Sequence, residues 1–145
     1  MEQFLKKHFR YRDILKDGAL YLRRFYLIRT KPFAIFLHKI VRGDADRLVH
    51  NHPWPFGVLI LRGSYWEELP INPEASTSLE LITKFVKRGP GSIRFMRANQ
   101  LHRVHLDSGQ VVWSLFFRLR AEREWGFLTD EGWVPWQEYL KEKES

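Results

Sequence analysis

Gly43-Asp44-Ala45-Asp46-Arg47-Leu48-Val49-His50-Asn51-His52-Pro53-Trp54-Pro55-Phe56-Gly57-Val58-Leu59-Ile60-Leu61-Arg62-Gly63 is the stretch on which the reading of this chain turns. It opens on a turn at Gly43 to Asp46. It then runs extended from Leu48 to His52, stops at Pro53 and Pro55, and continues as an apolar run, Phe56 to Leu61, of strand length. Arg62-Gly63-Ser64 reads as a tight turn, and Tyr65 to Leu69 returns from it. The same rhythm holds outward in both directions. Before it lie Leu20 to Thr30 and the nearly continuous apolar run Phe33 to Val41. After it come a loop-like stretch, Pro70 to Ser78, and then Leu79 to Val86, Ser92 to Met96, Leu101 to Leu106 and Val111 to Leu119, separated by Gly89-Pro90-Gly91 and Asp107-Ser108-Gly109. Short strands punctuated by glycine and proline, with little helix between them, predict an all-β antiparallel sandwich or barrel.

The flanks complete a single domain spanning 1–145. Residues 2–16 read as a basic helix with Phe4, Leu5, Phe9 and Ile14 as its apolar stripe, stopped by Asp17-Gly18, so that 1–18 lies outside a barrel of residues 20–119. The segment 120–145 carries Trp125-Gly126-Phe127 and Gly132-Trp133-Val134-Pro135-Trp136, too aromatic for a free tail, and is expected to pack back on the barrel. The 145 residues are 44% hydrophobic and 28% charged, in the range of a globular domain. Without cysteine there are no disulfides, thiolate metal sites or cysteine nucleophiles, so a transition-metal site must come from the 6 histidines and the carboxylates. No run reaches the roughly 18 apolar residues of a membrane span. Lys6, Lys7, Arg10 and Arg12 interrupt any N-terminal leader, so a cytoplasmic location is expected. Of the net charge of +7, residues 1–31 hold +6, with nine basic and three acidic groups. Such a segment can attract nucleic acid or an acidic partner, or simply face water. No nucleic-acid motif accompanies it.

His50 and His52 stand two apart, which on a strand places both imidazoles on one face. His102 begins another strand after a glycine turn. Where the two strands face each other across a barrel, three imidazoles converge, leaving coordination positions open as in a catalytic metal site. A pair of histidines in a polar barrel mouth is the alternative reading of the same pattern.

With its flanking glycines the pattern resembles the cupin superfamily. That family's first motif runs from Gly through His-x-His and Glu to a second Gly. Here Gly43, His50-Asn51-His52 and Gly63 fall at matching distances, and Gly91 precedes His102 in the second motif. The resemblance covers Phe33 to Leu119. It implies a double-stranded jelly-roll barrel with a divalent metal ion (Fe, Zn, Mn or Ni) bound by His50, His52 and His102, and a homodimer. The chain departs from the family where Phe56 or Gly57 takes the place of the motif's Glu, where Arg97 to Gln100 replace Pro-x-Gly, and where Leu106 replaces the terminal Asn.

Other residues are read around this core. Glu67, just after the Gly63 turn, is the best replacement carboxylate ligand, or else a surface residue. Asp46 could orient an imidazole, or else serve its turn. His38, in an apolar run, is a barrel-lining acid–base group or a satisfied core histidine. Tyr65, Trp54, Trp66 and Trp113 could line a pocket, and Arg94 and Arg103 could grip a substrate anion. Three functions follow: a metal-dependent enzyme (dioxygenase, isomerase or hydrolase type) on a small organic substrate, a non-catalytic small-ligand binder, or a nucleic-acid or acidic-partner binder. The homodimer is expected to pair through the strand Leu20 to Thr30.

Overall fold

A computed structural model describes residues 1–43 and 48–144 of the chain, with side chains as far as residue 141. In chain order the elements are α1 (Glu2–His8), β1 (Tyr11–Lys16), β2 (Ala19–Arg29), β3 (Phe33–Ile40), β4 (Phe56–Arg62), β5 (Tyr65–Pro70), β6 (Thr83–Arg88), β7 (Ile93–Met96), β8 (Arg103–His105), β9 (Val112–Leu119), β10 (Gly126–Thr129), β11 (Gly132–Pro135) and α2 (Trp136–Glu144). A six-stranded sheet has the order β1-β2-β3-β9-β4-β7, a three-stranded sheet the order β6-β5-β8, and β10 and β11 form a hairpin. Every paired strand is antiparallel. From β4 onward the chain weaves between the two large sheets, which is the jelly-roll path.

Alternation of side chains decides which face closes the core. On β3, Ala34, Phe36 and His38 are buried; on β9, Val112, Ser114 and Phe116; on β4, Phe56, Val58 and Ile60. Register sets these in rows: Phe36 lies opposite Phe116, which lies opposite Val58. The second sheet contributes Tyr65, and Val104 packs against the same cluster.

The predicted helix over 2–16 is half right. It ends at His8, and Tyr11–Lys16 is a strand on β2. Asp17 and Gly18 have φ of +53° and +78° and join Lys16 directly to Ala19, so the pair is a two-residue hairpin turn rather than a helix stop. The short α1 lies on the outer face of the large sheet, where Glu2 bonds Lys39 Nζ at 2.6 Å and Arg23 at 3.2 Å and Leu5 is buried. Strand β2 is consequently covered on both edges by β1 and β3 and offers no edge to a second copy. The free edges of the large sheet are β1 and β7. Among the described residues, no helix is long and apolar enough to cross a membrane.

Candidate metal centre

His50 and His102 form a backbone bridge. The His50 N–H donates to the His102 carbonyl at 3.0 Å, and the His102 N–H donates back at 2.9 Å. His52 N–H donates to the Ala98 carbonyl at 3.1 Å. The histidine segment is thereby stitched to the chain just before β8, at one end of the barrel. On its other side Asn51 N–H donates to the Gly126 carbonyl, Gly126 N–H donates to Asn51 Oδ1 at 2.8 Å, and Leu128 N–H donates to the Val49 carbonyl. Gly126 is required there, because a Cβ would run into the Val134 carbonyl oxygen. From the aromatic C-terminal segment, Phe127 and Trp125 lie against the His50 ring at 5.7 and 6.2 Å.

The three rings stand 4.9 to 5.3 Å apart, centre to centre. One ligand atom from each lies within 4.8 Å of the others, so the three could hold a metal ion. His102 Nδ1–H donates to Glu67 Oε2 at 2.9 Å, and His50 Nδ1–H donates to the Leu48 carbonyl at 3.3 Å. The His102 ring thus keeps Nε2 for a ligand. His52 Nδ1 is buried with no hydrogen-bond partner, a nitrogen left unspent as an ion site leaves it. Burial, reinforced by His102 and His50 alongside, holds the His52 pKa well below the usual histidine range, so the ring is neutral as a metal ligand must be.

Glu67 is 2% exposed and hydrogen-bonds His102 from outside the three-histidine cluster. Its Oε2 accepts the hydrogen bond from His102 Nδ1–H. Its Oε1 accepts from Arg94 Nε at 2.9 Å and Arg88 Nε at 3.1 Å. Burial pushes its pKa up, but the His102 hydrogen bond and charge and the Arg94 guanidinium outweigh this and bring it down to about 2. The next residue faces the other way: Glu68 accepts from Arg103 Nε at 2.8 Å, His105 Nε2 at 2.7 Å and Thr83 Oγ1 at 2.7 Å.

A cavity of about 390 Å³ opens from the triad into the barrel. His38, Tyr65 and Trp54 line it, as the sequence suggested, and Trp66 and Trp113 do not. Arg94 and Arg103 are not in the lining either, because Glu67 and Glu68 hold them. Asp46 lies outside the described residues.

No family model and no curated protein matches the chain. Solved structures do. HppE in its Fe(II) form superposes with a TM-score of 0.59 at 13% identity over 78% of this chain and 57% of that one, so this chain spans little more than half of it. The polyketide cyclase RemF from Streptomyces resistomycificus gives 0.60 at 18% identity, covering 92% and 89%. A candidate mannose-6-phosphate isomerase from Ralstonia eutropha JMP134 gives 0.56 at 20% identity, covering 74% and 92%. The chain has the cupin-type jelly-roll fold. At these identities the likeness carries the architecture of the chain and nothing of its chemistry.

Three residues of the site escaped the sequence reading. Arg88 and Asn51 gave no local signal, because their partners Glu67 and Gly126 are 21 and 75 residues away. Arg24 did give one. It shares the parity of Leu22 and Tyr26 and follows it into the barrel, opposite His38.

Proposed function

We propose that this cupin binds a divalent metal ion through His50, His52 and His102 and acts as an enzyme on a small organic molecule held in the adjoining cavity, as a homodimer. The observation that carries the reading is the convergence of three imidazoles, with His52 neutral and His102 held by Glu67, at the wall of a largely apolar cavity. Such an ion, once bound, supplies a Lewis-acid or redox centre with positions left for substrate. The chain's own part is to fix the imidazoles and exclude water. Glu67 sets the His102 ring and its tautomer, Phe127 and Trp125 cover His50, and Trp54 and Phe56 pack on His52 at 5.3 and 4.5 Å.

The N-terminal charge supports nucleic-acid binding less well. Arg23 is tied to Asp13 at 2.6 Å and to Glu2, and Arg24 faces the barrel interior.

Elemental analysis of the purified protein should find about one divalent ion per chain, and His50→Ala should lose it in equilibrium dialysis while its circular dichroism stays that of a β-barrel. Full occupancy in His50→Ala would overturn the assignment. Turnover of a substrate by the loaded protein separates an enzyme from a ligand binder built on the same cavity.

A further inference from the structure

At the far wall of the cavity, away from the triad, Arg24 and His38 stand opposite each other on β2 and β3, and Ser114 of β9 completes the row. Arg24 Nε–H donates to His38 Nε2 at 3.0 Å. The imidazole therefore accepts at Nε2 and carries its proton on Nδ1, to which no described residue offers an acceptor. Burial, with Arg24 alongside, keeps this ring neutral well below the usual histidine range. Ser114 is fully buried, and its hydroxyl has no hydrogen-bond partner.

Arg24 is a guanidinium that lies over the Phe36 ring at 4.6 Å and is met by polar groups but by no described counter-charge. Among the described residues no carboxylate pairs with it. The groups that bear on it electrostatically are Tyr26, which hydrogen-bonds it, and two further cations, Arg12 and Arg29. A partly desolvated charge is costly unless something neutralises it. The described lining of the cavity contains cationic Lys16 and Arg24 and no acidic side chain at all. A guanidinium without a described carboxylate partner, in one row with a buried hydroxyl that has no hydrogen-bond partner, is what an oxyanion requires.

Between this pole and the triad runs an aromatic floor. His38 stacks on Phe116 at 4.9 Å, Phe116 stacks on Phe56 at 5.1 Å, and Phe56 meets His52 at 4.5 Å. Trp54 closes one side, edge-on to Phe116 at 5.4 Å. Such a floor favours a flat apolar body over a sugar-like one.

Resting on the same cavity reading as the proposed function, we propose that the ligand is a flat, apolar small molecule bearing an oxyanion, a carboxylate or a phosphate. The oxyanion sits on Arg24 and the Ser114 hydroxyl, the body lies on Phe116 and Phe56, and the opposite end is presented to His50, His52 and His102.

Isothermal titration with 3-phenylpropanoate, its amide and phenyl phosphate tests this on chelator-treated and on Zn(II)-loaded wild type and Arg24→Met. The expected result is binding of at least one acid roughly tenfold or more tighter than the amide in the chelator-treated protein. In Arg24→Met that preference should be lost, the acid binding no more tightly than the amide. The two acids separate a carboxylate site from a phosphate site. An acid preference confined to the Zn(II)-loaded protein means that the anion goes to the metal, which overturns the proposal and leaves the metal centre standing. An acid preference in a protein that never takes up metal leaves the oxyanion site standing and removes the metal centre. Equal affinity for acid and amide in the chelator-treated wild type, or a preference that survives in Arg24→Met, overturns the proposal. If Arg24→Met does not fold, a crystal structure of wild type with 4-bromobenzoate decides. A carboxylate on Arg24 with the bromine toward the histidines supports the proposal, and the reverse orientation sinks it.

Discussion

Glu67 answers two demands with one carboxylate. It accepts from Arg88 and Arg94 together, and it fixes the His102 proton on Nδ1. Partners of this kind raise the basicity of the imidazole and hold its orientation, and their loss typically weakens metal binding by about 10–100-fold. Glu67→Gln should therefore bind metal in that proportion more weakly, read by competition with a chromophoric chelator; an unchanged affinity would show that Glu67 only balances the arginines. Glu67 also sets an acid limit. Its folded pKa of about 2 lies below the ordinary 4.5, so its contribution is complete above pH 4.5 and is lost as pH falls toward 2. That contribution is on the order of 3 kcal/mol. Urea unfolding of metal-free protein across this window should show a steeper loss for wild type than for Glu67→Gln. His52 acts in the opposite sense. Because its ring is neutral well below pH 6.5, no proton need leave it when an ion enters, and its share of the pH dependence of metal affinity falls below the usual histidine range. Equilibrium dialysis against pH would contradict this if His50→Ala and His102→Ala left a residual affinity that still collapsed near 6.5.

At the scale of elements, the histidine cluster depends on a clasp rather than on a strand. The segment Val49 to His52 belongs to neither large sheet. It is held between the residues leading into β8 and the β10–β11 hairpin. Asn51 is the clasp, with its backbone N–H and its Oδ1 both on Gly126 and its side chain 2% exposed. Asn51→Ala leaves the buried Gly126 N–H without an acceptor, at a cost of about 1–3 kcal/mol. It also loosens Phe127 against His50. The expected outcome is a lower urea midpoint in the metal-free protein together with weaker metal binding. Weaker stability with metal affinity intact would show that the hairpin supports the barrel but not the site.

For the molecule as a whole, the sheet edge at β7 is where the proposed homodimer would pair. Ile93 and Phe95 are 59% and 70% exposed there, and Phe95 continues onto Phe117 at 6.0 Å. A strand edge carrying apolar side chains invites pairing. Light scattering at micromolar concentration should give twice 17.5 kDa for wild type and 17.5 kDa for Phe95→Lys. A monomeric wild type would dismiss the homodimer. Bound metal should stabilise the whole barrel, by about 2.7 kcal/mol at a free concentration a hundredfold above its dissociation constant.

The sequence by itself determined the class of fold and the identity of the cluster. The period-two pattern of Ala34, Phe36 and His38, and of Val112, Ser114 and Phe116, is local information, and so is the glycine and proline punctuation between strands. The His50-x-His52 spacing names two members of the cluster for the same reason. Tertiary structure decided the rest, because it depends on contacts across the chain. Residues 11–16 are a strand only because β2 is there to pair with them, and the Asp17-Gly18 turn brings it back. Glu67 orients a ring instead of joining the cluster because Arg88 and Arg94 come to it from β6 and β7. Arg24, which breaks the apolar pattern of β2 when read along the chain, keeps its parity in the fold. It thereby delivers into the cavity that the histidines share a guanidinium with which no described carboxylate pairs.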